Sequence, residues 1–360
     1  MINRLLTRGG ASLLSIALLF LVGCGPDRSH LLTPVAGSQH SIIAVGDTGR
    51  SSIFNSLIEG QVSVARAMEA EAKREPIDDL IFLGDNFYWN GLDEETLVPR
   101  VAENLVAPYC YFLRLDGPRS KEVAEACDVP ENERAPVPVY AVLGNHDLIL
   151  PESPELQRNA VPDFVPDWRM SSGLTKVFEL GDGISLILLE SEVAIDDGSL
   201  ITREVEKAVR QARGPWRILA THRPIATDDH GHKRLGGFPG FVRDGIQASG
   251  LPVQLVLAGH HHSLQVFEVP SPIPSLQIGA GSGSRPAPPI ASPEHPDVRF
   301  SRLALGFARI DLIGQNNSEK LVVTLIQAPR YPVLSPFIEP QRVAQFEVDQ
   351  AGEVLDRTLR

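Results

Sequence analysis

Five short stretches of this chain carry side chains suited to hard or borderline metal ions. They are Gly46-Asp47-Thr48-Gly49, Gly84-Asp85-Asn86-Phe87-Tyr88, Gly144-Asn145-His146-Asp147, Thr221-His222-Arg223-Pro224 and Gly259-His260-His261-His262. Carboxylate, amide oxygen, phenol and imidazole together make the donor set of a two-metal hydrolytic centre. Each stretch alone has an ordinary explanation. Gly-Asp after a strand is commonly a turn, and three consecutive histidines can be a surface cluster. Their joint occurrence, in this order, is not explained that way. In an extended segment alternate side chains share a face, so His260 and His262 would point one way and the spacer His261 the other.

Each stretch follows a short apolar run bounded by glycine, the pattern of a buried strand. Ser41–Val45 leads into Asp47, Asp79–Leu83 into Asp85 and Pro138–Leu143 into Asn145. Trp216–Ala220 leads into His222, and Val253–Ala258 into His260. Helix-like stretches lie between them at Ser51–Lys73, Glu94–Val106 and Thr202–Arg213. Strand–helix alternation indicates an α/β fold, in which sites gather beyond the carboxyl ends of the strands. This convergence argues for one catalytic domain, residues 41–327, although a chain of 360 residues could hold two. Ser282–Pro296 reads as a loop and Phe300–Ile326 as alternating strands. Residues 328–360 form a C-terminal extension with a strand near Val343–Val348 and no function that the sequence reveals.

With these motifs in place the chain resembles the calcineurin-like metallophosphoesterases, and within them the purple acid phosphatases of the small tartrate-resistant type. Most of that superfamily has His two positions after the first Asp, where this chain has Gly49. Purple acid phosphatases supply the missing ligand as a tyrosine three residues after the bridging Asp, where this chain has Tyr88. The resemblance implies a four-layer α-β-β-α sandwich, with two packed mixed β-sheets flanked by helices. It implies that Asp47, Tyr88 and His262 bind Fe(III), that Asn145, His222 and His260 bind a divalent Fe, Zn or Mn ion, and that Asp85 bridges the two. The donor types agree, since phenolate and carboxylate suit a hard trivalent ion and imidazole and amide a borderline divalent one.

The resemblance also implies a metal-activated hydroxide as nucleophile and His146 as general acid toward the departing alkoxide, with Asp147 orienting its ring. Asp229-His230-Gly231 resembles the segment carrying a further active-site His. It places His230 near the substrate, although the spacing is one residue shorter and His232 competes for the role. Thr221 stands where the family usually has Gly or Ala. Arg223 is either an extra phosphate contact or a solvated side chain. Ile278-Gly279-Ala280-Gly281-Ser282-Gly283 resembles the family's glycine-rich stretch, which would serve close backbone packing near the site. The segment between Asp85 and Asn145 is longer than the small phosphatases need and is expected to border the substrate entrance.

The formal charge of −12 suits an acidic protein that does not hold DNA or RNA through phosphates. A small phosphorylated substrate is still compatible, because bound cations reverse the local field. Arg4 and Arg8 precede the apolar run Ala11–Val22, too short to span a bilayer comfortably. Leu21-Val22-Gly23-Cys24 resembles a bacterial lipobox, which implies a signal peptide over residues 1–23, a lipid on Cys24 and a tether over residues 24–40. The other reading is an ordinary secretory signal with a chance cysteine. Either way the expectation is an exported protein, and with the lipid one held at a membrane. Cys110 and Cys127 then face an oxidising compartment, as one disulfide or as two buried thiols. The leading function is a phosphomonoesterase working best at acidic pH. The alternatives are a phosphodiesterase or nucleotide hydrolase on the same core, and a non-catalytic surface lipoprotein.

Overall fold

The computed structural model describes Leu32 and residues 34–49, 59–193, 195–226, 236–269, 275–286, 296–315 and 318–359. Cys24, its neighbouring lipobox residues, His230 and His232 lie outside the described residues. Fifteen strands form two sheets in this region. The first four are β1 (His40–Val45), β2 (Asp79–Phe82), β3 (Val139–Ala141) and β4 (Trp168–Met170). Seven more follow: β5 (Thr175–Gly181), β6 (Ile184–Leu189), β7 (Trp216–Thr221), β8 (Leu255–Ala258), β9 (Leu264–Val269), β10 (Ser275–Ala280) and β11 (Val298–Arg302). The last are β12 (Gly306–Ile313), β13 (Lys320–Gln327), β14 (Gln341–Val348) and β15 (Val354–Leu359).

One sheet has the order β15-β14-β13-β12-β1-β2-β3-β4 and the other β11-β9-β10-β8-β7-β6-β5. Strands β1 to β4 run parallel, as do β6, β7, β8 and β10; the remaining pairings are antiparallel. Both sheets are therefore mixed. The chain builds β1–β4, leaves to build the whole second sheet, then returns to complete the first.

Side-chain alternation explains why the motif-bearing strands are continuous apolar runs. On β1, Ile42 and Ala44 face the second sheet while Ile43 and Val45 face outward. The outward face is covered by the helix Gly60–Arg74, through Val64, Met68 and Ala72 at helical spacing. On β7, Ile218 and Ala220 meet the first sheet, whereas Leu219 lies under the helices Gly198–Gln211 and Phe238–Ser249. A strand covered on both faces has no polar side to show. The result is the four-layer sandwich of helices, sheet, sheet and helices.

Element ends differ from the sequence expectation where side chains cap. The helix expected from Thr202 begins at Gly198, because the Asp197 carboxylate accepts the Leu200 amide at 3.0 Å. The helix expected from Glu94 begins at Leu97, because Asp93 accepts the Thr96 amide at 2.7 Å and holds the preceding residues in a turn. Residues 341–359 pair onto β13 and lengthen the first sheet by two strands. The long segment between β2 and β3 packs Tyr109, Phe112 and Leu113 into the core on the outer face of that sheet. A disulfide joins its Cys110 and Cys127.

Candidate metal centre

The carboxyl ends of β1, β2, β3, β7 and β8 lie together, and the five motifs leave from them. Two strands are followed within three residues by residues in the left-handed region, Asp47 at φ 57° and Asp85 at φ 52°. Such φ values are rare outside glycine and concentrate at functional sites. The close approach is possible because glycines stand opposite. A Cβ on Gly144 would sit 2.2 Å from Asp85 Oδ1, and one on Gly281 would sit 2.6 Å from Asp47 Oδ2. The glycine-rich stretch after β10 thus packs directly against the first aspartate.

Two groups of donors form around Asp85. In the first, the Tyr88 hydroxyl is 3.1 Å from Asp47 Oδ1, 2.8 Å from Asp85 Oδ2 and 3.0 Å from His262 Nε2, with His262 Nε2 3.1 Å from Asp47 Oδ1. In the second, His222 Nε2 is 3.2 Å from both Asn145 Oδ1 and His260 Nδ1, and 3.7 Å from Asp85 Oδ1. Donor atoms of Asp47, Asp85 and His222 all lie within 4.8 Å of one another, and all three residues are buried. His222 Nδ1 donates to the Leu83 carbonyl at 2.8 Å, which leaves Nε2 facing the cluster with its lone pair available.

The electrostatics of this cluster fit cations. Burial pushes the Asp85 carboxyl up to about 6, with Asp47 and Asp147 adding to the effect and His222 opposing it. Burial works the same way on Asp47, but His262 and His222 outweigh it and hold Asp47 below the usual carboxylate range. Burial beside both carboxylates raises Tyr88, so a phenolate there requires a compensating positive charge. Imidazole, amide, phenol and carboxylate converging without a lysine or arginine among them is the donor chemistry of a metal site.

The three-histidine segment works by a different geometry from the extended one expected. β8 ends at Ala258 and β9 starts at Leu264, so residues between them form a turn. His260 adopts φ 65° and its amide donates to Asp47 Oδ2 at 2.8 Å. The turn still brings His260 and His262 into the cluster, while His261 is buried against the adjoining packing.

Asp147 does not orient His146. Its buried carboxylate accepts the amides of Gly144, Asn86 and Phe87 at 2.9, 3.1 and 3.0 Å, tying the second and third motifs together. Adjacent residues in a turn point apart, which is why sequence neighbourhood misleads here. The ring of His146 is held instead by the Trp89 carbonyl, 2.7 Å from Nδ1, and its amide donates to Asp85 Oδ1 at 2.8 Å. Arg223 pairs side-on with Glu192, Nε and Nη2 donating at 2.6 and 2.9 Å, so it is held in place rather than simply solvated. Arg100 donates to the Tyr88 carbonyl and Glu190 accepts the Leu143 amide. Neither was visible in the motifs, since both reach the site from elements distant in sequence.

The calcineurin-like phosphoesterase pattern matches residues 40–264, from β1 through the three-histidine turn. A comparison with curated proteins finds no match. Among solved structures, GAP50, the anchor in the inner membrane complex of Plasmodium, aligns with a TM-score of 0.57 at 15% identity, covering 90% of this chain and 89% of that one. PhoD aligns with a TM-score of 0.55 at 16% identity, over 91% and 74%. The purple acid phosphatase PPD1 from yellow lupin seeds aligns with a TM-score of 0.51 at 14% identity, over 82% of this chain and 53% of that one. These likenesses show the shared fold. The motif order, the convergent donors and the match over most of the chain place this protein in the calcineurin-like phosphoesterase family.

Proposed function

We propose that the protein is a phosphomonoesterase of the purple acid phosphatase kind, with Fe(III) held by Asp47, Tyr88 and His262, a divalent Fe, Zn or Mn ion by Asn145, His222 and His260, and Asp85 between them. The observation that carries this is the Tyr88 hydroxyl within 3.1 Å of Asp47, Asp85 and His262, which supplies the ligand that Gly49 does not. Bound cations would supply an activated water and offset the charge that builds on phosphate oxygens during displacement.

The chain's own part lies in orientation and proton transfer. A carbonyl only accepts, so the Trp89 contact fixes the proton of His146 on Nδ1 and leaves Nε2 for the substrate. With Nε2 also protonated, the ring hydrogen-bonds a phosphate oxygen and delivers its proton to the departing alkoxide. Asp85 keeps this residue in register through the His146 amide. Asp147, by clamping the amides of two motifs, keeps the loops that carry Asp85 and Asn145 at a fixed separation.

The test is steady-state hydrolysis by the metal-loaded enzyme of an alkyl monoester and of bis-p-nitrophenyl phosphate. The monoester should be turned over faster. His146→Ala should lower kcat by about 10²–10⁴-fold with metal content unchanged, the usual range for losing a general acid. A diester rate equal to the monoester rate would favour the phosphodiesterase reading, and full activity of the variant would remove His146 from the mechanism.

We also infer that the chain is an exported lipoprotein anchored through Cys24, on the strength of the Leu-Val-Gly-Cys sequence. Among the described residues no helix is long and apolar enough to cross a membrane.

A further inference from the structure

Tyr88 and Trp89 are neighbours in sequence, yet their side chains part company. Tyr88 is 3% exposed within the donor cluster, whereas Trp89 is 53% exposed at its rim. The Trp89 ring centroid lies 5.4 Å from Tyr88 and 5.7 Å from His146, edge-on to both. In the turn that follows His146, Ile149 is 52% exposed and donates its amide to the His146 carbonyl at 3.4 Å. The Leu150 amide donates to the Asn90 carbonyl at 3.0 Å, which binds the two loops into one lip. An exposed indole beside the imidazole and an exposed isoleucine three residues along the chain thus belong to the same lip.

An exposed apolar residue is ordinary by itself. The difference here is position relative to the chemistry. The imidazole that protonates the leaving oxygen fixes where the rest of the leaving group must run, and it runs along this lip. The backbone that carries the indole is fixed, because the Trp89 carbonyl holds His146 Nδ1 and the preceding carbonyl is held by Arg100. The lip offers a flat π-face and a branched aliphatic side chain. The charge of the fourth motif's cation, Arg223, is paired with the Glu192 carboxylate. Such a surface favours an uncharged ring over a second anionic group.

Resting on the phosphomonoesterase reading, we propose that the Trp89 indole is a stacking platform for the leaving group and that the preferred substrates are phosphomonoesters of ring-bearing alcohols, aryl or nucleoside. The measurement is the ratio of kcat/KM for phenyl phosphate over glycerol phosphate in the metal-loaded enzyme, with a nucleoside 5′-monophosphate as a further arm. Loss of one aromatic stacking contact in Trp89→Leu should lower that ratio about tenfold, chiefly through KM. Trp89→Phe should keep most of it. A loss on phenyl phosphate alone assigns the platform to aryl esters, and a parallel loss on the nucleotide extends it to bases. An unchanged ratio overturns the proposal.

A second readout does not depend on turnover. Trp168 and Trp216 are buried, whereas Trp89 is exposed. Phenylphosphonate should quench the wild-type tryptophan fluorescence and fail to do so in Trp89→Phe; equal quenching in both also overturns the proposal. A wild type that hydrolyses none of the esters yet is quenched through Trp89 refutes the hydrolase reading while retaining the ring platform.

Discussion

The Tyr88 hydroxyl faces two carboxylate oxygens and an imidazole nitrogen, so its proton bonds a carboxylate unless a cation takes that place. If that cation is Fe(III), the purified protein should show a tyrosinate-to-iron charge-transfer band in visible light. Tyr88→Phe should bleach it at unchanged iron content, and a colourless wild type with full iron loading would defeat the assignment. A second residue matters for stability. Glu190 is wholly buried, with Oε2 accepting the Leu143 amide at 2.9 Å and Oε1 without a hydrogen-bond partner among the described residues. Burial pushes its carboxyl up to about 7, Asp147 and Glu192 adding to this and the Leu143 amide and Arg158 opposing it. In the unfolded chain the group ionises near its ordinary value of 4.5, whereas the folded state keeps the proton until about 7. The folded state therefore binds the extra proton between those values, and stability falls as pH rises through that window. Glu190→Gln keeps an acceptor for Leu143 and removes the charge. It should match the wild type in urea unfolding near pH 4 and exceed it above pH 7 by up to ~3 kcal/mol. Equal midpoints at both pH values would rule this out.

At the scale of elements, the segment between β2 and β3 brings most of its apolar residues to the outer face of the first sheet, where Tyr109 meets Phe82 edge-on at 5.0 Å. Its disulfide closes a loop of sequence separation 17. By chain entropy that loop stabilises the fold by about 3 kcal/mol. Cys110→Ser combined with Cys127→Ser should lower the guanidinium unfolding free energy by about that amount, and reduction of the wild type should do the same. The strands before the motifs were legible because both faces of β1, β2, β3, β7 and β8 are buried and leave uninterrupted apolar runs. β15 was not, since Val354–Leu359 is an edge strand with nearly every side chain exposed and no apolar period to read. The donor residues were legible for a related reason: each sits within a few residues of a strand end. Asp147 was misread because its partners are backbone amides, two of them on another loop, and Arg100, Trp89 and Glu190 act through backbone groups that leave no mark in a motif.

At the scale of the molecule, neither sheet holds the candidate centre alone. Asp47, Asp85, Tyr88 and Asn145 come from the first, and His222, His260 and His262 from the second. Each proposed ion would draw ligands from both, so metal loading would fasten the two layers together. The proposed anchor is tested by fractionation: Cys24→Ser should move the protein from membranes to the soluble fraction, and unchanged membrane association would dispose of the lipid. The direction of β1 then has a consequence for how an anchored molecule is presented. His40 begins that strand and Asp47 follows its end, so the chain enters the sandwich at the edge opposite the donor loops. At roughly 3.3 Å per residue the strand separates the two edges by about 20 Å. A lipid on Cys24 would therefore be joined to the sandwich at the edge away from the donor loops, with the whole length of β1 between the point of attachment and the mouth.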